Sequence, residues 1–279
     1  MDFVVDTNID CLALPKVDVV QALYFKYMLF DNNDNISRGI RQCGSHDMDV
    51  DIFSRNILDY YDDGFVLDIG ANLGSFSIPL ALAFPKLNFL SFEPQRVIYY
   101  QLCGNIFLNS IKNVNAYNFG LGDSCYSENS VIPNYALEFV IGAFSIDDEV
   151  RNADNYSCPT VGGSQIINVA TLDSLDISNI RLIKIDVEGF ELKVLKGALK
   201  TLERNNYPCI VFEAWDWGMH HRRIELFSFL ESLGYEIVTL ESGSNHVAEH
   251  RTSKRDKSKD RLPNKEKISS VEDILGFNS

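Results

Sequence analysis

The chain has 279 residues, 46% of them hydrophobic, so it can bury one sizeable core but is too short to require two full domains. Its formal net charge of -14 would repel a phosphate backbone, which argues against a nucleic-acid partner. No apolar stretch approaches the length of a membrane span, and acids stand where a secretory signal would carry positive charge.

The six cysteines lie far apart in the sequence. They form no CxxC pair, and no histidine stands at zinc-finger spacing from them. We therefore expect reduced, mostly buried thiols. Together with the charge pattern of the first residues, this predicts a cytoplasmic protein.

Residues 1–50 predict an extension that precedes the main domain. An apolar piece from Val17 to Phe30 and the polar stretch "DNNDNISRG" indicate an N-terminal helix followed by a loop. We expect this helical extension, or lid, to cover one end of the main domain.

Residues 51–248 show a regular alternation of strand and helix patterns. The predicted elements are helix 51–61, strand 65–69, helix 73–84, strand 87–92, helix 95–108, strand 114–119, strand 181–186, helix 189–205, strand 208–213, helix 222–233 and strand 235–240. This order predicts an α/β domain with a parallel sheet and helices on both faces.

Residues 120–170 are less regular, with strand-like pieces at "ALEFVIG" and "QIINVAT", and are expected to supply substrate-facing loops. Residues 249–279 are dense in charge of both signs and predict a flexible tail.

The first predicted strand leads into a glycine-bearing turn, "VLDIGANLGSFS". Asp68 lies in the strand, and Gly70, Asn72 and Gly74 follow in the turn. Ligands of open parallel sheets bind just beyond the carboxyl ends of the strands, where glycines allow close approach to the backbone. Glu93 ends the next strand, about 20 residues further on, where a carboxylate can accept hydrogen bonds from a ribose diol. These features predict an adenosine-containing ligand.

The spacing of the glycines distinguishes two such ligands. A dinucleotide site requires GxGxxG, whereas the chain from Gly70 reads Gly, Ala, Asn, Leu, Gly, Ser. S-adenosylmethionine has no pyrophosphate and does not need that spacing. The departure favours a methyl donor, and an NAD-dependent oxidoreductase or epimerase on a similar sheet is the alternative.

Further acids follow the later strands. Asp123, in "NFGLGD", is either a ligand for an adenine amino group or a turn aspartate. Asp186 ends a strand in "LIKIDVEGFE", and a charge at the end of an apolar strand above a crevice favours function. Glu188 either faces the substrate or stabilises the positive end of the following helix.

The last candidate cluster lies in "FEAWDWGMHH", beyond the next strand. Glu213, Trp215 and Trp217 suit a sugar-like acceptor, because rings stack on its apolar faces and carboxylates bind its hydroxyls. His221 is a candidate base, although a histidine in a loop is usually not catalytic.

In order and spacing, "VLDIGANLGSFS", "SFEPQ", "GLGD", "GAFS", "ATLDSL" and "LIKIDVEGFELKVLKGA" resemble the FkbM-type S-adenosylmethionine-dependent methyltransferases. The resemblance implies a class I methyltransferase fold with a seven-stranded, mostly parallel sheet, and O-methylation of a sugar or a polyketide-type metabolite. By position, it implies a methionine-side loop at residues 68–74 and a ribose-binding acid at Glu93. It also implies that Asp186 and Glu188 lie beside the methyl group. Where the family commonly has two small hydroxylated residues, this chain has Phe144 and Ser145 in "GAFS", so no family contact is carried over to Phe144.

Methyl transfer to a hydroxyl requires an aligned acceptor oxygen and removal of its proton. We expect Asp186 to be the leading base, with Glu213 and His221 as reserves. Alternatively, Asp186, Glu188 and Glu213 supply oxygen ligands to a divalent metal that activates the hydroxyl. A catalytically silent binding module with the same fold is a further alternative, which the intact acids at three strand ends disfavour.

Overall fold

The computed structural model describes residues 3–6, 14–22, 25–31, 34–137, 144–151, 159–214 and 220–253. Within these residues, twelve strands lie in three sheets. The strands are β1 (Val17–Ala22), β2 (Phe25–Phe30), β3 (Phe65–Ile69), β4 (Asn88–Phe92), β5 (Val114–Tyr117), β6 (Gly120–Leu121), β7 (Tyr126–Pro133), β8 (Thr160–Ala170), β9 (Ile180–Ile185), β10 (Cys209–Glu213), β11 (Tyr235–Thr239) and β12 (Asn245–His250). The helices are α1 (Asn35–Cys43), α2 (Met48–Leu58), α3 (Ser77–Ala83), α4 (Arg96–Leu108), α5 (Asp148–Arg151), α6 (Glu191–Lys196), α7 (Leu199–Arg204) and α8 (His220–Ser232), with a short 3-10 helix at Leu172–Leu175.

The central sheet has seven strands in the described part of the chain, in the order β11-β12-β10-β9-β3-β4-β5. The strands from β10 to β5 run parallel to their neighbours, whereas β12 is antiparallel to both β10 and β11. The sheet confirms the predicted α/β fold with a seven-stranded, mostly parallel sheet.

Helices cover both faces of this sheet because successive strand residues point to opposite sides. Leu67 and Ile69 of β3 pack in a core with residues of α6, α7 and α8. Val66, whose side chain points to the opposite side of β3, packs in a second core with residues of α2 and α3. The carboxyl ends of the parallel strands therefore form an edge between two helical layers.

The N-terminal helix predicted from Val17 to Phe30 is wrong, because Val17–Ala22 and Phe25–Phe30 form the antiparallel strands of a hairpin, β1 and β2. Residues 25, 27 and 29 are buried while Lys26 is exposed, which is the alternation of a strand and not of a helix. The buried side chains pack against Leu73 and Ile78 of the main domain. The boundary predicted between residues 50 and 51 falls inside α2.

The flexible tail was predicted to begin at residue 249, and this start is wrong. Residues 245–250 form β12, which lies between β10 and β11 in the sheet. The His250 ring stacks on Tyr207 with ring centroids 4.3 Å apart, and the buried His246 contacts Phe212 and Phe227. Residues 254–279, the rest of the predicted tail, lie outside the described residues.

Residues 120–170 contain a second, three-stranded sheet in the order β6-β8-β7. The strand predicted at "QIINVAT" is confirmed within β8, and most of "ALEFVIG" lies outside the described residues. Among the four described cysteines, two are exposed and two are half-buried, so the expectation that most are buried is wrong for them.

No helix in the described segments has both the length and the apolar character needed to cross a bilayer.

The helix predicted over residues 189–205 is divided at Gly197 into α6 and α7. A Cβ atom at Gly197 would overlap the carbonyl oxygen of Gly122, in the segment that follows β6. The Gly197 carbonyl accepts a hydrogen bond from the amide of Asp173 at 2.9 Å. This glycine therefore lets the second sheet pack directly against the helical layer.

We predict that Gly197→Ala lowers the free energy of unfolding by about 3 kcal/mol, because the new methyl group meets main-chain atoms that cannot move aside. Gly162→Ala is the matched control: Gly162 has φ +83°, but no atom lies within 4 Å of a Cβ placed there. It should cost only about 1 kcal/mol of backbone strain. Urea denaturation of both variants measures the difference, and equal losses would contradict this account.

Candidate cofactor and acceptor site

A cavity of about 250 Å³ lies at the carboxyl edge of the central sheet. It is where ligands of open parallel sheets bind. Six of the residues predicted from the sequence line it: Gly70, Asn72, Glu93, Asp186, Glu188 and Glu213. A small second cavity beside it shares Asn72, Asp186 and Glu213. The structure thus brings the turn after β3 together with the acids at the carboxyl ends of β4, β9 and β10.

The turn after β3 has the backbone shape that its residues predict. Gly70, Asn72 and Gly74 have φ values of +78°, +49° and +93°, in the left-handed region that favours glycine and tolerates asparagine. A Cβ atom at Gly70 would overlap the carbonyl oxygen of Asp186. The glycine therefore allows the turn to contact the end of β9 directly.

Glu93 lines the cavity and is almost fully buried. Its two carboxylate oxygens accept hydrogen bonds from the amides of Asn72, at 3.0 Å, and Gln95, at 2.9 Å. Burial raises the pKa of Glu93 to about 7, although both hydrogen bonds favour the ionised form. Glu93 thus fixes the turn while it faces the cavity.

Asp68 and Gly74, both predicted to contact the cofactor, lie behind the turn and do not line the cavity. Asp68 is fully buried and accepts a hydrogen bond from the Ser77 hydroxyl at 2.6 Å. Burial raises the pKa of Asp68, and the neighbouring Lys184 ammonium opposes the shift. Gly74 packs closely on Ile78 and Leu102. We conclude that these two residues support the turn from below.

Lys184 is a central residue that the sequence analysis did not single out. It pairs with Asp68 across neighbouring strands, and its Nζ lies 3.5 Å from Asp68 Oδ1 and 3.1 Å from Asp186 Oδ2. Nζ also donates a hydrogen bond to the Gly70 carbonyl at 3.0 Å. Burial lowers the pKa of Lys184, but the two carboxylates outweigh burial and hold the pKa above its ordinary value. A lysine in a buried strand, two residues before Asp186 and on the same face, was the available signal.

Asp186, Glu188 and Glu213 form a carboxylate cluster on the cavity wall. One oxygen of each lies within 4.8 Å of the others. Burial raises the pKa of Glu188 well above its ordinary value, and the charges of Glu213 and Asp186 add to the effect. Such a cluster can accept hydrogen bonds or a proton from a hydroxyl, and its oxygens also suit a divalent cation.

The segment that carries Glu188 is held by two residues that sequence reasoning missed. Glu191 Oε1 accepts hydrogen bonds from the amides of Val187, at 3.3 Å, and Gly189, at 3.0 Å. Burial raises the pKa of Glu191 to about 7. Arg222 of α8 donates to the Gly189 carbonyl at 3.2 Å and pairs with Asp147 at 3.1 Å. The acid at the start of the helix in "EGFE" was a signal for the first contact, and none pointed to the second.

The remaining predicted residues lie elsewhere. Asp123 is exposed, accepts a hydrogen bond from the Ser124 hydroxyl and does not line the cavity, so the structure favours its interpretation as a turn aspartate. His221 is exposed on α8 and is also absent from the cavity wall. Trp215 and Trp217 lie outside the described residues. Phe144 lines the cavity, whereas Ser145 is buried and its hydroxyl accepts a hydrogen bond from the Asp147 amide at 3.0 Å.

The N-terminal segment also contributes to the cavity. Asp34, which caps α1, and His46 and Asp47, which precede α2, all line it. His46 Nε2 lies 3.4 Å from Asp47 Oδ2. Nothing in the local sequence marks these residues, because their position depends on how the segment packs on the sheet. Six acidic residues therefore line the cavity: Asp34, Asp47, Glu93, Asp186, Glu188 and Glu213.

Comparisons with known proteins bear on this site. Residues 68–237, more than half of the chain, match the family described as "Methyltransferase FkbM domain". Methyltransferase sdnD of Sordaria araneosa is 30% identical over 202 residues, which cover 62% of this chain and 74% of that protein. Hexuronic acid methyltransferase AglP of Haloferax volcanii is 25% identical over 195 residues, which cover 68% of this chain and 72% of that protein. Among solved structures, M. jannaschii TYW2 in complex with AdoMet shares 17% identity and a TM-score of 0.41, and 85% of each chain is covered. The chain belongs to the FkbM family of S-adenosylmethionine-dependent methyltransferases.

Proposed function

We propose that this protein transfers the methyl group of S-adenosylmethionine to a hydroxyl oxygen of a sugar, glycan or related polyhydroxylated small molecule. One observation carries the proposal: a single cavity joins the turn braced by Glu93 to the carboxylates of Asp186, Glu188 and Glu213. The first part suits a nucleoside, and the second suits a hydroxyl-bearing acceptor. The family match favours this methyl donor over the NAD alternative.

The residues of the cavity fit the cofactor by their chemistry. Glu93 would accept hydrogen bonds from the ribose hydroxyls, and Gly70 and Asn72 would hold the methionine side. Apolar side chains for the adenine ring line the same cavity: Ile69, Phe92, Leu121, Ile146 and Phe190. When bound, the cofactor supplies a methyl group on a sulfonium centre, which is already a strong electrophile.

The protein must hold the acceptor oxygen in line with the methyl group and take up the hydroxyl proton. Asp186 is our leading candidate for the base, because its main chain contacts Gly70 of the turn and its carboxylate faces the cavity. Glu188 and Glu213, beside it, would bind the hydroxyls of the acceptor. His221 lies outside the cavity wall and has no part in this proposal.

The charge of the cavity bears on the acceptor. Six acidic residues line it. Burial raises the pKa of some of them, Glu93 and Glu188 included, and those that stay ionised accept hydrogen bonds from hydroxyls but repel another anion. The relative AglP is named a hexuronic acid methyltransferase, which supports a sugar as the general class. For this chain, we propose a neutral polyhydroxylated acceptor.

Glu93→Gln should weaken S-adenosylhomocysteine binding about tenfold at pH 8, because the amide lacks the charge and the second acceptor oxygen. Since the pKa of Glu93 is raised to about 7, the wild-type carboxylate gains a proton as the pH falls from 8 to 6. Wild-type affinity should fall over that range, and the variant should lose this part of the dependence. Calorimetry at several pH values measures both effects.

Glu236→Gln, an exposed acid on β11, is the control for this experiment and should bind like the wild type. NAD is titrated in parallel. Wild-type affinity for NAD but not for S-adenosylhomocysteine would overturn the proposal in favour of an oxidoreductase. Affinity for neither would favour a binding module without activity.

Asp186→Asn should reduce methyl transfer by about 100-fold or more, since the amide cannot take up the hydroxyl proton. Affinity for S-adenosylhomocysteine should stay within a few-fold of wild type. Unchanged turnover would remove Asp186 from the role of base.

The same assay after exhaustive chelation tests the metal alternative. We expect full activity there, because Asp186 can take up the hydroxyl proton without a Lewis acid on the acceptor oxygen, and loss of activity would assign the cluster to a cation.

Transfer of labelled methyl to paired acceptors tests the acceptor class. Each pair consists of a neutral saccharide and the matching uronate, which differ in one carboxylate. We expect kcat/KM to be at least about tenfold higher for the neutral member, because like charges in the cavity repel the uronate. Preference for the uronate would show that the acids of the cavity are neutralised when the acceptor binds.

A further inference from the structure

The edge of β2 that faces away from β1 is hydrogen-bonded by side-chain amides of α4 and of the residue after it. Asn109 Oδ1 accepts from the Lys26 amide at 2.7 Å, and Asn109 Nδ2 donates to the Lys26 carbonyl at 2.7 Å. Asn105 Oδ1 accepts from the Met28 amide at 2.6 Å, and Gln101 Nε2 donates to the Met28 carbonyl at 2.8 Å. These amides bind the strand as a neighbouring strand would.

Helix and strand geometry explain why the contact repeats. Four residues of a helix rise about 6 Å, and two residues of a strand span about 6.6 Å. Two side chains four residues apart, at Asn105 of α4 and at Asn109 directly after it, therefore match main-chain groups two residues apart on β2, at Lys26 and Met28. The helix can approach closely because Gly104 faces the strand: a Cβ atom there would lie 3.2 Å from Met28 Cε.

Asn105 differs from Asn109 in a further contact. Its Nδ2 also donates to the carbonyl of Leu73 at 2.9 Å, in the turn between Asn72 and Gly74. Asn105 and Leu73 are both completely buried. The Leu73 side chain packs in one cluster with Tyr27 of β2 and with Ile78 of α3. One buried amide therefore connects the N-terminal hairpin to the turn that lines the cavity.

We propose that Asn105 is a positioning residue for cofactor binding, and that the hairpin of β1 and β2 is part of the cofactor-binding unit. The inference rests on the proposed placement of the cofactor on the turn at residues 70–74. Asn105 does not line the cavity, so it would act through Leu73. The hairpin precedes the region that matches the family, which begins at residue 68.

A matched pair of variants tests this proposal. Asn105→Ala and Asn109→Ala each remove side-chain bonds to β2, but only the first removes the bond to Leu73. We expect Asn105→Ala to weaken S-adenosylhomocysteine binding about tenfold, measured by calorimetry well below the unfolding temperature, and Asn109→Ala to stay within about twofold of wild type. Equal affinities in all three proteins, or equal weakening in both variants, would overturn the proposal.

Glu93→Gln in the same series separates this inference from the proposed cofactor site. If Glu93→Gln binds weakly while Asn105→Ala binds like the wild type, the role of Asn105 is wrong and the cofactor placement stands. If both variants bind like the wild type, the placement of the cofactor on the turn is itself wrong.

Asn105→Ala leaves buried main-chain groups without partners, so a second measurement uses the unmodified protein. Hydrogen exchange is followed with and without S-adenosylhomocysteine. We expect the ligand to slow exchange of the Lys26 and Met28 amide hydrogens more than that of β11, which lies at the far edge of the sheet. If the ligand slows hydrogen exchange equally in β2 and β11, or does not slow it in β2, the hairpin is not part of the cofactor-binding unit.

Discussion

The buried ammonium group of Lys184 joins the two halves of the cavity. It contacts Asp68 beneath the turn, the carbonyl of Gly70 within it and Asp186 on the opposite wall. Removing one partner of a buried ion pair typically costs about 3–5 kcal/mol, because a charge is left without compensation. Here two carboxylates would lose their partner. The position of the turn and that of Asp186 therefore both depend on this side chain.

Two buried carboxylates also hold segments of the site, by accepting hydrogen bonds from main-chain amides. Glu93 accepts from the amide of Asn72, and Glu191 accepts from the amides of Val187 and Gly189. Each holds a segment whose backbone includes left-handed residues. Buried carboxylates with a raised pKa thus fix loops in this protein, and one of them, Glu93, also lines the cavity. The chemistry of the site and its architecture draw on the same type of residue.

The main domain could be predicted from its sequence because its parallel strands are continuous apolar runs. The strand predicted over residues 65–69 coincides with β3, and those at 87–92 and 208–213 extend β4 and β10 by one residue. The prediction failed where polar residues are buried. Strand β12 contains Asn245, His246, Glu249 and His250, all buried by packing that sequence patterns do not reveal. The hairpin was misread because its apolar residues are numerous enough to satisfy a helical pattern as well.

The candidate site was partly predictable for a related reason. The carboxyl ends of parallel strands meet at one edge of the sheet, so the acids at the ends of β4, β9 and β10 had to lie near the turn after β3. The sequence did not predict which acids reach the cavity and which lie beneath it. Asp68 and Glu93 are both acids near strand ends, yet only Glu93 lines the cavity. The contributions of Asp34, His46 and Asp47 depend on tertiary packing alone.

The contact between Gly70 and Asp186 has a consequence for how such a site can diverge. The spacing between the two walls is set by main-chain atoms, since a side chain at residue 70 would not fit. Replacing other side chains that line the cavity changes which molecules fit but leaves this spacing unaltered. Over evolution the set of molecules that fit the cavity can therefore change while the distance between the turn and the end of β9 stays constant.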